Sequence, residues 1–140
     1  MLKRLRRMVR SRRVRRGAAD PDLAAFLDEA RRSFVCMQQA WDRADLAALS
    51  AVATEPLLQE LKTQLEERGP APNHTEVLRI EARLLAVEEL CEAQVASVEF
   101  SGLIREQLGA RPMPFRELWM LARTAGADRA WRVARVQALS

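Results

Sequence analysis

The sequence predicts an α+β domain in which N-terminal helices pack on one face of a curved, four-stranded antiparallel sheet. Two observations carry this. From Leu23 to Leu65 apolar residues recur at three- and four-residue steps, the spacing of a helix buried along one side. After Asn73 the rhythm shortens to two, the spacing of strands with one face on a core, and short turn-rich segments separate the alternating runs. At 140 residues the chain has room for one core and an extension. With 49% apolar and 30% charged residues it has the material to fold. Its longest unbroken apolar runs are five residues, against the roughly 20 that a bilayer-spanning helix needs.

The helices come first. Asp20 and Pro21 open one well, because the carboxylate accepts from free amides of the first turn and proline is preset for the first helical position. Leu23, Phe26, Leu27, Ala30, Phe34, Met37, Trp41 and Ala44 then form its apolar stripe, with Asp28, Glu29, Arg31, Arg32 and Gln38 off it. Asp45 caps a short second helix through Leu46, Leu49 and Val52. Thr54 starts a third, with Leu57, Leu58, Leu61 and Leu65 facing one way and Gly69-Pro70 ending it.

The strands follow. Leu78, Ile80, Ala82, Leu84 and Ala86 alternate with Arg79, Glu81 and Arg83, and an acidic turn of Glu88, Glu89 and Glu92 leads into Ala96, Val98, Phe100, Gly102 and Ile104. Gly102 in mid-strand signals a bulge or a bend. Phe115, Glu117, Trp119 and Leu121 make a third strand, and Trp131, Val133 and Arg135 a fourth.

Charge divides the chain. Residues 1–16 hold nine of the 23 Lys and Arg and none of the 19 Asp and Glu, so the rest carries 14 basic against 19 acidic residues, a net of −5. We read residues 1–19 as a basic, flexible arm and residues 20–140 as the folded domain. Within the arm, Leu2, Leu5 and Val9 recur at helical spacing among the cations. Such a segment suits an anionic membrane surface, the first-ranked partner, through Lys3, Arg4, Arg6, Arg7, Arg10, Arg12, Arg13, Arg15 and Arg16. A nucleic-acid backbone is the second, since phosphates attract the same cations. The acid-free start also has the composition of a mitochondrial transit peptide, though Ser11 is its only hydroxylated residue, and it lacks the apolar stretch of a secretory signal.

The body offers no vocabulary for catalysis: no phosphate-binding glycine loop, no G-x-S-x-G elbow and no H-E-x-x-H. Cys36 and Cys91, 55 positions apart, form no metal-ligand pattern and read as reduced thiols, and His74 sits among turn residues as a solvated side chain. No metal or cofactor is expected. Glu99, Glu106 and Glu117 are the acids that strands would set near a sheet surface, and Glu117 reads as a structural acid paired with Arg105 or Arg123. Phe34, Trp41, Phe100, Glu117, Trp119 and Trp131 are the candidates to line a pocket or a docking surface.

Specific segments point further. Phe26-Leu27-x-x-Ala30-Arg31-x-x-Phe34, Gln39-Ala40-Trp41-Asp42, Thr54-Glu55-Pro56 and Glu66-Glu67-Arg68-Gly69, then Val98-Glu99-Phe100-Ser101-Gly102, Pro114-Phe115-x-Glu117-x-Trp119-x-Leu121 and Trp131-x-x-Ala134-x-x-Gln137, occur in the order and spacing of a known pattern. Over about residues 22–138 the chain resembles the Tim44-like domain family. It departs from that pattern at Met120, Arg135 and Ala138, where histidine, glycine and glutamine are common. The resemblance implies a cone-like fold related to the nuclear-transport-factor-2-like fold. It further implies a non-enzymatic peripheral adaptor working beside membrane-protein translocation or insertion machinery. The expected location is the cytoplasmic face of a bacterial inner membrane, with the mitochondrial matrix face as the alternative. A small-molecule or enzymatic pocket protein of the wider fold, and a ribosome- or RNA-associated protein using the arm, are the competing readings.

Overall fold

A computed structural model describes residues 10–12, 21–69, 71, 73–124 and 130–139. In chain order they form β1 (Arg10–Arg12), α1 (Pro21–Asp42), α2 (Leu46–Val52), α3 (Glu55–Arg68), β2 (Glu76–Glu89), β3 (Ala93–Arg105), β4 (Met113–Thr124) and β5 (Arg132–Ala138). The strands lie in one antiparallel sheet in sequence order, β1-β2-β3-β4-β5. This is the expected α+β arrangement of N-terminal helices on a four-stranded sheet, with one addition. Arg10–Arg12, inside the stretch read as an arm, pair with the far end of β2 as a short edge strand.

The core lies between the inner sheet face and the helices. Phe34 of α1 is buried among Phe100, Phe115 and Trp119, with ring centroids 4.9, 5.2 and 4.9 Å away. Ala30, Met37 and Ala40 extend that face of α1, while Leu49, Ala53 and Leu57 bring in α2 and the start of α3. The end of the expected α1 stripe is corrected: Ala44 lies beyond the helix with φ 53° and is exposed, and Ala40 is buried instead. Ala44 donates its N–H to the Trp41 carbonyl and Asp45 donates to that of Ala40, so the chain turns sharply out of α1 by a left-handed residue. Asp45 then caps α2, its Oδ1 accepting from Ala48 N at 3.0 Å. The junction after α2 is tied to the sheet, since Thr54 donates its N–H to the Val133 carbonyl at 2.8 Å.

Three irregularities shift the strand faces, and three expectations change with them. In β2 the pairing with β3 slips between Val77 and Arg79 and again between Leu84 and Ala86, leaving Leu78 and Leu85 as extra, exposed residues. Val77, Ile80, Ala82, Leu84 and Val87 therefore face the core, and Leu78 and Ala86, expected there, do not. In β5 a slip at Ala134 sets Val136 opposite Trp119 and Arg135 opposite Met120, so Arg135 leaves the face of Val133. Met120 and Arg135 are thus cross-strand partners. Gly102 meets its expectation: a Cβ there would lie 1.9 Å from the Arg79 carbonyl oxygen, beside the first slip. Such bulges bend a sheet and blunt an exposed edge.

Candidate functional site

Where the C-terminal half of α1 leaves the sheet, two adjoining hollows of about 300 and 270 Å³ open, sharing Gln38, Trp41 and Glu117 as a common ridge. One runs toward Asn73, Thr75, Glu106 and Phe115. The other runs under α3, between Glu60, Leu61 and Gln64 on one side and Trp119 and Val136 on the other. Together they form a trough lined by carboxylates and amides, with aromatic and aliphatic side chains between them. Neither hollow is lined by a lysine or arginine. That arrangement suits an apolar surface carrying positive charge or amide donors, and it offers no water-excluding chamber.

Trp41 holds the ridge through its neighbours. The Arg68 guanidinium lies over its ring, 5.3 Å from the centroid, and Nη1 donates to the Trp41 carbonyl at 2.6 Å. The Arg68 Nε is buried with no hydrogen-bond partner among the described residues. One residue on, Asp42 is buried at 8% exposure and accepts from the N–H and the hydroxyl of Thr75 at 2.6 and 3.1 Å, clamping the end of α1 to the start of β2. Glu117 accepts from the Trp119 indole N–H at 2.8 Å. That corrects its expected partners. Arg105 instead donates to Glu76 and to the Ala110 carbonyl, closing the β3–β4 loop, while Arg123 donates to Gln94 and lies over the Trp131 ring at 4.5 Å. The strand pairing sets both arginines away from Glu117, which sits two residues from Trp119 on the same face.

The six pocket candidates separate into three groups. Phe34, Phe100 and Trp119 are core residues, each at most 1% exposed, and Phe34 and Trp119 also touch the trough from below. Trp41 and Glu117 line the trough. Trp131 packs edge-on against Phe26 near the start of α1, apart from both. Of the other acids, Glu106 reaches the trough rim, whereas Glu99 lies on the outer sheet face between Arg83 and Arg116, 3.3 Å from each. His74 is exposed, beside a further hollow between α1 and the β2 edge. Cys36 and Cys91 are free and exposed. Among the described residues no group of three or more His, Cys, Asp and Glu is placed to hold a metal ion.

Of the nine arm cations, Arg10 and Arg12 fall in β1, where the backbone alone is described; Lys3, Arg4, Arg6, Arg7, Arg13, Arg15 and Arg16 lie outside the described residues. Sequence reasoning missed Gln38, Glu60, Gln64, Asn73 and Asp42. Gln38 is off the apolar stripe, and the others come from three separate segments that only the fold brings together.

Nearly the whole of this arrangement falls within one family match: the model of the Tim44-like domain covers residues 10–138. The chain belongs to the Tim44-like domain family. The matched region begins at Arg10, where β1 begins, so the edge strand lies within the Tim44-like stretch. No curated protein matches the chain.

Proposed function

We propose that this Tim44-like domain is a non-enzymatic, membrane-peripheral adaptor whose basic arm binds anionic lipid while its folded body docks a partner along the trough. One observation carries the reading: nine cations and no acid in residues 1–16, attached to a body of net −5. An anionic bilayer attracts the first and repels the second, so the arm anchors while the body stays clear of the surface with its trough accessible. Family membership supports an adaptor, and the expected setting is the cytoplasmic face of a bacterial inner membrane, beside machinery that moves or inserts proteins. The plugging of the core by Phe34, Phe100 and Trp119 weighs against an enzyme with a deep pocket.

Co-sedimentation with cardiolipin-containing vesicles tests this. The full chain is expected to pellet at low salt, to be released at about 0.5 M salt, where screening shortens to a few ångströms, and to ignore neutral vesicles. Replacing Lys3, Arg4, Arg6 and Arg7 by Gln leaves β1 in place and should weaken binding by orders of magnitude, since each cation near the surface contributes roughly 1 kcal/mol. Equal pelleting of that variant removes the arm's role. Binding to structured RNA at equal ionic strength, without binding to vesicles, transfers the arm to the nucleic-acid reading.

A further inference from the structure

The helices cover one face of the sheet, and among the described residues no element covers the other. The strand register places Arg79, Arg83, Glu99, Arg116, Met120 and Arg135 on that open face. Charge is sorted between the two sides. Residues 21–69, which hold the helices, carry five Lys and Arg against nine Asp and Glu, a net of −4. The outward positions of β2 to β5 carry six arginines, the four above with Arg105 and Arg132, against Glu76, Glu81, Glu88 and Glu99, a net of +2. The −5 of the body therefore lies mostly on its helix side.

A shared carboxylate organises the open face. Glu99 on β3 lies 3.3 Å from Arg83 on β2 and 3.3 Å from Arg116 on β4; its own side chain is 15% exposed, and those of the arginines 52% and 54%. One largely buried anion thus fixes two cations side by side, and each guanidinium spends one nitrogen on it and keeps further donors for phosphate oxygens. Around them the face is aliphatic, with Leu118 and Met120 on β4 and the bulge residue Leu85 on β2. The Phe and Trp rings lie in the core, against it or in the trough, so this face has no platform on which nucleic-acid bases could stack. It is also continuous with the arm, because β1 extends the same sheet beyond β2.

Resting on the lipid reading above, we propose that the open sheet face is the side that the body turns to an anionic bilayer, with Arg83, Arg116 and Arg135 on lipid phosphates. Net charge keeps the free body away from the surface. The bound arm holds the body there at high effective concentration, and the cationic face is the side that is then attracted. The trough, on the inner side of the sheet, is turned to the solution, where a partner reaches it.

Charge-matched pairs of substitutions in the full chain test this. Arg116→Gln with Arg135→Gln leaves Glu99 its Arg83 partner, and Arg43→Gln with Lys62→Gln removes the same charge from exposed positions on the helix side. At about 0.1 M salt, where interactions beyond about 10 Å are largely screened, the first pair should weaken binding to cardiolipin-containing vesicles by at least about tenfold, since each cation at such a surface is worth roughly fivefold. The second pair should leave binding nearly unchanged. A quencher attached to the lipid headgroups reads the orientation. A fluorophore on Gln137→Cys, opposite Leu118 on the open face, in a chain with Cys36→Ser and Cys91→Ser, should be quenched severalfold more than one on Cys36 in a chain with Cys91→Ser alone. Equal losses from the two pairs, or equal quenching at the two positions, overturns the proposal and leaves the arm's own binding standing. Vesicle binding untouched by Arg116→Gln with Arg135→Gln, while retention of structured RNA or self-association is lost, also overturns it and gives the face to that occupant. A native chain that pellets with no vesicle refutes the lipid reading itself, and this proposal with it.

Discussion

Ala44 holds a backbone conformation that L-residues adopt at a cost of roughly 1–2 kcal/mol, and it does so because α1 must stop there for Asp45 to cap α2. Glycine removes that cost while adding entropy to the unfolded chain, so Ala44→Gly should stabilise the domain by about 0.5–1 kcal/mol in urea denaturation, with an unchanged m-value. Asp42 works in the opposite sense. Its carboxylate satisfies both polar groups of Thr75, and Asp42→Ala leaves a half-buried amide without its charged acceptor. The expected loss is about 2–3 kcal/mol in the same measurement, with weakened protection of the Thr75 amide against hydrogen exchange. In the sequence Ala44 ends an apolar stripe, and Asp42 stands in a segment that assigns it no role of its own. Local spacing records which residues are apolar and is silent on which carbonyl or amide a turn will present to them.

At the scale of elements, the alternation after Asn73 identified each long strand but mis-set part of the β2 face, because each extra residue at a bulge reverses the side on which its successors point. Leu78 and Leu85 are such residues, and nothing in their type distinguishes them from Ile80 or Leu84. Gly102 is the exception that sequence did reveal, since a missing side chain within a strand needs a reason. The close approach of the Arg79 carbonyl supplies it. Gly102→Ala should therefore cost at least about 3 kcal/mol, because the atom it meets is backbone and the strands must part to admit it. A large fall in melting temperature without change in the far-UV spectrum of the remaining folded protein checks this. On the other side of the sheet, Met120 and Arg135 face each other across β4 and β5. Both lie on the outer sheet face, while their chain neighbours Trp119 and Val136 line the trough.

For the whole molecule, the arm and the body carry opposite charge on one chain. The charge split was legible by counting, and with it the expectation of an anionic partner. The trough was half legible: Trp41 and Glu117 were among the candidates, while Phe34, Phe100 and Trp119, chosen for the same aromatic character, became its sealed floor and the core beneath. Periodicity and composition determined the helix–sheet division, the order of elements and the polarity of each surface, because those follow from which atoms water rejects at each step along the backbone. Only the tertiary structure decided that Gln38, Glu60 and Glu117 share one rim and that the backbone of Arg10 pairs opposite Glu89. Those meetings depend on strand register and helix placement, which are set by the collective packing of residues far apart in the chain.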